Sequence, residues 1–309
     1  MGSYFIKRIF QTIPVILGVI TLTFILMYIV PGDPVMSMVG ERYDEATIQK
    51  LREELHLDDP IWMQYFRFLG NLLHGDLGRS FVTFNPVLDD LLTRFPFTLT
   101  LALSAMIVSI LIGLSVGILS SLKPNSLLDR GTMMFALAGI SAPVFWVGLL
   151  LILYVSVYLK WLPPTGYGGI EYLILPAITL GTRSAAFLAR MTRATMLDVL
   201  QQDYIRTARA KGLPEWKVIL KHAFPNTLIP VITIIGVDFG SYLSGAVLTE
   251  SIFGWPGIGR FALDAILKRD FPVIQGTVLF TALMFISANL IVDLFYGVVD
   301  PRIRFERKQ

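Results

Sequence analysis

Cysteine is absent from this 309-residue sequence, and charged residues are scarce. The lack of cysteine excludes disulfides, thiolate metal sites and a cysteine nucleophile, and it leaves the redox compartment undetermined. Charged residues make up 16% of the chain, against about 25% in soluble globular domains. Hydrophobic residues make up 54%, the mean hydropathy is +0.64 and the net charge is only +3. This composition predicts a multispan membrane protein and gives no indication of a nucleic-acid partner.

Motifs for ATP hydrolysis and for intramembrane proteolysis are also missing. A P-loop needs the pattern G-x-x-x-x-G-K-[S/T] to hold phosphates, and no such run occurs; "GWPGIGR" at 254–260 lacks the lysine. The three histidines, His56, His74 and His222, lie outside every long apolar run, so no Ser-His pair forms inside a bilayer. We expect no catalytic residue, no metal site and no cofactor in this chain.

Six apolar stretches are long enough to cross a membrane as helices, which takes about 20 residues. They cover 9–30, 97–119, 132–159, 172–191, 228–248 and 277–299. The first is longer than a signal-peptide core and no cleavage site follows it, so we interpret it as a retained span. The fourth contains Pro176, Gly181 and Arg183, and we expect it to face other helices or a cavity. The predicted fold is a single all-α domain over 1–309.

The distribution of Lys and Arg predicts how these spans are oriented. With the N-terminus inside, segments 1–8, 120–131, 190–227 and 300–309 hold 15 basic and 6 acidic residues. The outside segments, 31–96, 160–171 and 249–276, then hold 10 basic and 15 acidic residues. We therefore predict that both termini lie in the cytoplasm.

The predicted outside loop 31–96 is long enough to contain helices of its own. Residues 44–57 have Ile48, Leu51 and Leu55 at helical spacing, behind Asp44 in an N-cap position. A second helix follows Pro60 and has its apolar residues on one face: Trp62, Tyr65, Phe66, Leu69, Leu72 and Leu73. It lies either in the plane of the membrane interface or over the outer mouth as a cap.

A basic segment interrupted by glycine lies in the predicted inside loop 192–227. Residues 203–211 and 215–224 each have helical character, and "KGLP" separates them. Gly212 can take a positive φ as a helix C-cap, and Pro214 suits the first turn of the next helix. This helix-turn-helix (residues 203–224) could set the orientation or bind anionic lipid, but two ordered helices and a sharp turn favour docking of another protein. Pro225 and Pro230 mark the re-entry into the bilayer.

The helix-turn-helix resembles the coupling loop of bacterial ABC-importer membrane subunits, which has Glu-Ala-Ala, three residues, Gly and a later Pro. Aligned on Gly212, the Glu-Ala-Ala places hold Arg206, Thr207 and Ala208, and Pro225 is the later proline. Two of these three residues depart from the general pattern, but "YIRTARAKGL" is similar to the dipeptide, oligopeptide and nickel permease family. Further motifs extend the resemblance over the whole chain: "VPGDP" at 30–34, "HGDLGRSF" at 74–81, "ISAPVFWVG" at 140–148, "PAITLG" at 176–181, "ESIFGWPGIGR" at 250–260 and "DPRIR" at 300–304.

The resemblance implies one of two membrane halves of an importer in the bacterial cytoplasmic membrane. Two partner subunits would bind ATP and Mg, and the coupling loop would seat in a groove of one of them. An external binding protein would deliver di- or oligopeptides, with nickel or another small solute as the alternative. The second half would be a related subunit rather than a copy; membrane lipids are expected contacts and nucleic acid is not. The residues assigned to coupling are Asp203, Tyr204, Arg206, Thr207, Ala208, Ala210, Lys211, Gly212 and Pro225.

Ionisable groups inside the spans are candidates for a translocation path, because they are costly in lipid. Asp238 either lines a pore, where it could meet a peptide N-terminus, or pairs with an arginine such as Arg183. Asp293 lies nearer the cytoplasmic end, where a contact between helices is the commoner role. Small residues of the fifth span favour close helix packing, within the chain or at a subunit interface along the path: Gly236, Gly240, Ser241, Ser244 and Gly245.

Two further segments are candidates for gating. Pro143, close to Ser141, breaks the hydrogen bonding of the third span and forms either a kink or a hinge. Glu250 and Trp255 follow the fifth span in a segment rich in glycine and aromatics, typical of a re-entrant loop or of aromatic anchoring at the interface. In the resembling family this region contributes to the outer gate.

Two other classes of protein fit the sequence less well. A secondary transporter commonly has two homologous halves, and no internal repeat is visible. An aspartyl intramembrane protease needs two facing carboxylates, whereas Asp238 and Asp293 are predicted at different depths.

Overall fold

The computed structural model describes residues 2–29, 35, 49–50, 52–53, 56–244 and 246–299. Within these ranges the regular elements are helices, which confirms the all-α class. In chain order they are α1 (Gly2–Ile29), α2 (Ile61–Leu73), α3 (Val87–Leu122), α4 (Leu127–Ser141), α5 (Val144–Leu151), α6 (Glu171–Leu200), α7 (Asp203–Ala210), α8 (Glu215–Lys217), α9 (Phe224–Leu243), α10 (Val247–Phe253), α11 (Ile258–Lys268) and α12 (Phe271–Val299). α5 continues as a π-helix over Ile152–Tyr158, and α8 over Val218–Ala223.

Three helices are long and apolar enough to cross a membrane by themselves: α3, α6 and α12. Two bent pairs qualify if each counts as one span, namely Leu127–Ser141 with Val144–Tyr158 and Glu215–Leu228 with Pro230–Leu243. The described part of α1 contributes a shorter apolar stretch, Phe10–Ile25. The described residues therefore hold three to five spans, and the number six remains a prediction.

The predicted third span is a sharply bent pair of helices. α4 ends at Ser141, Ala142 is extended with a ψ of 132°, and α5 starts after Pro143. The helix axis bends by 108° between the two halves. Proline has no N–H to donate and pushes the preceding residue out of the α region, so the helix stops there. The bend is much sharper than the kink that the sequence suggests.

α3 and α6 pack closely because small residues line their contact. A Cβ on Gly117 would lie 2.6 Å from the Cβ of Thr192, and one on Gly181 would lie 2.7 Å from the carbonyl oxygen of Ala105. Such contacts let two helix backbones approach closely. In agreement with the prediction for the fourth span, the apolar window of α6 is 56% buried, against 33% for α3. α6 is thus an inner helix that carries the helix-turn-helix at its C-terminal end.

Two helices extend beyond the limits of the predicted spans. α3 starts at Val87 instead of 97, and α6 runs to Leu200 instead of 191. Val87 packs in a buried cluster with Ile258 and Val273, and Met196 packs in another one beside the helix-turn-helix. Hydropathy locates the apolar part of a helix, whereas these ends are stabilised by contacts with distant residues.

The helix predicted after Pro60 is present as α2, and it packs on α1. The Tyr65 and Thr21 hydroxyls are 2.8 Å apart, and the Phe24 ring lies 5.2 Å from the Tyr65 ring. Trp62 and Phe66 remain exposed, so the apolar residues of α2 face two directions. The predicted helix over 44–57 lies largely outside the described residues.

Candidate functional site

The helix-turn-helix is fastened to α6 by an apolar cluster. Ile205 and Ala208 of α7 are buried together with Met196 of α6 and with Val218 and Ile219 of the π-helix. Ile205 is completely inaccessible to solvent. Because these contacts fix the inner face of α7, its opposite face is held in a defined position.

Gly212 makes the turn in the way the sequence predicts. Its φ is +74°, and its N–H donates to the Arg209 carbonyl at 2.9 Å. A Cβ at this position would meet nothing within 4 Å, so the requirement for glycine comes from the backbone conformation. Pro214 stands one position before α8, as its N-cap, rather than inside its first turn.

Most residues that the sequence assigns to coupling form an exposed surface. Arg206 and Asp203 are 73% and 95% exposed and only 3.4 Å apart as an ion pair. Ala208 is the exception, because it belongs to the buried cluster. The exposed members are Asp203, Tyr204, Arg206, Thr207, Ala210, Lys211, Gly212 and Pro225.

An ion pair across the turn escaped the sequence reasoning. The Arg209 guanidinium donates to Glu215 through Nη2 at 2.6 Å and through Nε at 3.2 Å. The hydrogen bond with Glu215 raises the pKa of Arg209, and the one with Arg209 lowers the pKa of Glu215. Both side chains are about half exposed, so the pair contributes at most about 1 kcal/mol. The sequence did contain a signal for this ion pair, because Arg209 and Glu215 carry opposite charges three residues before and three residues after Gly212.

Pro225 does not end a helix. The π-helix over Val218–Ala223 passes directly into α9, with Pro225 in its first turn. The bend between the two parts, 54°, comes instead near Pro230.

Asp238 lies where α9 faces α6. Its carboxylate lies near Ser184 and Arg183 of α6. Ser184 is 7% exposed, whereas Arg183 lies on an exposed part of α6. Asp238 is half-buried, and Tyr242, one turn further along α9, is buried near it. The structure thus brings together both predicted ionisable residues and adds Ser184 and Tyr242, which the sequence reasoning missed.

The small residues of the fifth span divide into two groups. Gly236 packs against Val292, and Gly240 packs against Phe285 and Asn289, so both contact α12 of the same chain. Ser241 is exposed. Gly245 lies outside the described residues, as does the side chain of Asp293. Ser141 and Pro143, the candidates in the bent third span, are both exposed.

Glu250 is enclosed by the segment that follows it. Its carboxylate accepts from the Thr98 hydroxyl at 2.8 Å and from the Arg260 N–H at 3.0 Å, and the residue is inaccessible to solvent. Gly257 lies so close to it that a side chain there would overlap the carboxylate. The Trp255 indole donates to the Phe97 carbonyl at 2.9 Å. The segment 250–260 is therefore attached to α3 at Phe97 and Thr98.

A second motif, "HGDLGRSF", is attached at the same end of the bundle. The Ser80 hydroxyl donates to Asp270, and the N–H of Phe81 donates to the same carboxylate at 3.0 Å. Asp270 precedes α12 and is 3% exposed. These bonds join two of the three segments predicted to lie outside, 31–96 and 249–276.

Comparison with protein families and curated proteins gives full-length matches. The model of the binding-protein-dependent transport system inner membrane component matches residues 109–305, and that of its N-terminal region matches 1–102. The chain is 44% identical to the di/tripeptide transport system permease protein DppB of Pseudomonas aeruginosa, over 99% of this chain and 100% of that protein. It is equally identical, with the same coverage, to the glutathione transport system permease protein GsiC of Pectobacterium atrosepticum.

Solved structures show the same fold at low sequence identity. A chain of the MetNI methionine ABC transporter in an inward-facing conformation aligns with a TM-score of 0.59 and 17% identity. The alignment covers 68% of this chain and 96% of that one.

Proposed function

The chain belongs to the family of binding-protein-dependent transport system inner membrane components, and from this premise we propose that it is the membrane-spanning subunit of an ATP-driven importer of di- and oligopeptides. The observation that carries the proposal is the helix-turn-helix, whose inner face is buried on α6 and whose outer face is exposed. Such a rigid, exposed surface can transmit a movement of a bound partner into the membrane helices.

In the proposed mechanism two separate ATPase subunits bind ATP and Mg, and one of them holds the helix-turn-helix. When ATP brings the ATPases together, the helix-turn-helix moves and α6 moves with it. The six-span bundle rocks against a second, related permease subunit and opens towards a loaded external binding protein. Hydrolysis then returns the inward-facing state, and no residue of this chain takes part in the hydrolysis.

The contacts at the two ends of the bundle support the division of these segments between two membrane faces, and the Lys/Arg bias is what favours a cytoplasmic location for both termini. Asp129 in segment 120–131 pairs with Arg193, close to the helix-turn-helix, so these two predicted cytoplasmic segments meet. Ser80 pairs with Asp270 at the other end, in segments predicted to be outside. The proposed location is the bacterial cytoplasmic membrane.

The proposed translocation path passes Asp238 and Arg183, between this chain and the second permease subunit. A carboxylate there can attract the ammonium group of a peptide, and the exposed Arg183 can attract its carboxylate. The segment with Glu250 and Trp255 would close the outer end, and the bend at Ser141 and Pro143 would allow α5 to move. Ser241 is exposed on α9, whereas Gly240 packs against α12. The substrate proposal rests on the names of the relatives; nickel or another small solute is the alternative cargo.

Substitution of Gly212 tests the coupling role. Gly212→Val should uncouple ATP hydrolysis from transport, because valine strongly disfavours a positive φ, while the open space around the site leaves insertion intact. Gly212→Asn is the matched control, since asparagine tolerates this conformation. ATPase activity and peptide uptake would be measured together in the reconstituted complex. Normal transport by the valine variant would reject the role.

Uptake by the host tests the cargo. A strain without this gene would be compared with the parent, using labelled dipeptides, oligopeptides and nickel, with and without ATP depletion. Loss of ATP-dependent peptide uptake alone supports the proposal. Loss of nickel uptake alone would retain the importer and change the substrate, and uptake driven by an ion gradient would point to a secondary transporter.

A further inference from the structure

An ion pair between the buried Asp129 and the partly exposed Arg193 joins α4 to α6 next to the helix-turn-helix. Arg193 donates to Asp129 through Nε at 2.6 Å and through Nη2 at 2.7 Å, one bond to each carboxylate oxygen. Asp129 is 2% exposed, and its second oxygen also accepts the N–H of Asn125 at 2.8 Å. Two parallel bonds fix the orientation of the partners as well as their distance.

Arg193 is placed close to the point where the helix-turn-helix is attached. Met196, one turn further along α6, is buried in the cluster that holds Ile205 and Ala208. Thr192, the neighbour of Arg193, lies against Gly117 of α3. This end of α6 therefore contacts α3, α4 and the helix-turn-helix within about two helical turns.

Asp129 is placed at the start of the bent third span. It lies in the first turn of α4, where Ser126 caps its N–H at 3.2 Å. Further along, Gly139 of α4 lies against Ala186 of α6, and beyond the bend Gly148 lies against Thr179 and Phe253. A movement of α4 is thus directed towards the bend at Pro143 and the segment that holds Glu250.

We propose that Asp129 and Arg193 form a clasp that transmits movement of the helix-turn-helix to the bent third span. The clasp fastens the inner end of α4 to α6, so both helices follow the helix-turn-helix as one body. Without it, α4 would contact α6 mainly through small side chains and could lag behind. Asp129 and Arg193 are positioning residues that set how much peptide is transported for each ATP hydrolysed. This proposal rests on the proposed function.

The test uses the complete reconstituted importer with its ATPases, second permease subunit and binding protein. Asp129→Asn and Arg193→Gln should each lower peptide uptake per ATP hydrolysed about tenfold, within the usual range of coupling between distant sites. Arg193→Lys should lower peptide uptake per ATP by less, because lysine keeps the positive charge and one hydrogen bond to Asp129. Asp90→Asn is the matched control: it removes the 2.8 Å ion pair with Arg94, in which both partners belong to α3.

A short reversible thiol cross-linker gives a second test. The chain has no native cysteine, so Asp129→Cys with Arg193→Cys provides a unique pair of thiols in it. The double variant should lose coupling. The cross-linker should restore the coupling, and reduction of the cross-linker should abolish it again.

Three outcomes would overturn the clasp. The first is wild-type uptake per ATP in Asp129→Asn and Arg193→Gln, while Gly212→Val is uncoupled; this would leave the proposed function intact. The second is a loss of uptake matched by an equal loss of thermal stability or of ATPase co-purification, which indicates a structural role. The third is a cross-linked variant that stays uncoupled. If Gly212→Val also transports normally, the coupling role of the helix-turn-helix fails, whereas loss of the importer function would show as unchanged peptide uptake in the strain without this gene.

Discussion

The hydroxyl of Thr98 connects Glu250 to the N-terminus of α11. It donates to the Glu250 carboxylate at 2.8 Å and accepts the N–H of Ile258 at 2.9 Å. All three residues are buried. The first turn of α11 is therefore capped by two side chains, Thr98 of α3 and Glu250 of α10. The segment 250–260 is held in place by α3 rather than by its own hydrogen bonds alone.

Removal of that hydroxyl should loosen the segment. Thr98→Val keeps the shape of the side chain but leaves two buried groups short of a partner, at a cost of about 2 kcal/mol in the free energy of unfolding. Thr100→Val is the control, because the Thr100 hydroxyl is exposed and bonds only the Pro96 carbonyl of its own helix. The unfolding midpoint of the purified protein in detergent measures the difference. Equal midpoints for the two variants would contradict the connection.

Glu250 should make stability depend on pH. Burial raises its pKa above the ordinary value of 4.5. The hydrogen bonds from Arg260 and Thr98 lower the pKa, but by less than burial raises it. The folded state therefore holds the proton more tightly than the unfolded state. The contribution of the protonated Glu250 to the free energy of unfolding is therefore fully present below pH 4.5. It is lost as the pH rises through the raised pKa of the folded state. Glu250→Gln cannot ionise, so its unfolding midpoint should change less between pH 4.5 and neutrality than that of the parent. The exposed Glu171→Gln should leave the parent's pH dependence as it is.

Gly236 should tolerate no side chain. A Cβ there would overlap Val292 of α12, so Gly236→Ala should cost about 1 to 3 kcal/mol through overpacking. Gly131→Ala is the control, because a Cβ at Gly131 meets nothing within 4 Å and should stabilise the helix by up to about 1 kcal/mol. Unfolding midpoints of the two variants should shift in opposite directions. A neutral Gly236→Ala would mean that α9 and α12 are packed less closely.

Asp238 should recognise the amino terminus of a peptide. Asp238→Asn keeps the shape but removes the charge, so uptake of dipeptides with a free amino group should fall about tenfold. Uptake of N-acetylated dipeptides should change little, because they carry no ammonium group there. Asp264→Asn, which removes an exposed carboxylate of α11, is the control. An equal fall for both kinds of peptide would assign the carboxylate a structural role.

The sequence by itself determined the class of protein and the turn of the helix-turn-helix. Apolar runs reveal membrane helices because lipid provides no partner for charged groups, and Gly212 reveals its turn because few other residues take a positive φ. The resemblance carried by the motifs extended this to the family, which full-length relatives confirm.

Only the tertiary structure decided which distant residues meet. Asp129 and Arg193 are 64 residues apart in sequence and Thr98 and Glu250 are 152 apart, so neither pair is visible in the sequence. The extended ends of α3 and α6 also depend on contacts across the bundle. The physical reason is that hydropathy and local geometry act over a few neighbouring residues. A buried polar group, in contrast, takes its partner from whichever helix packs against it.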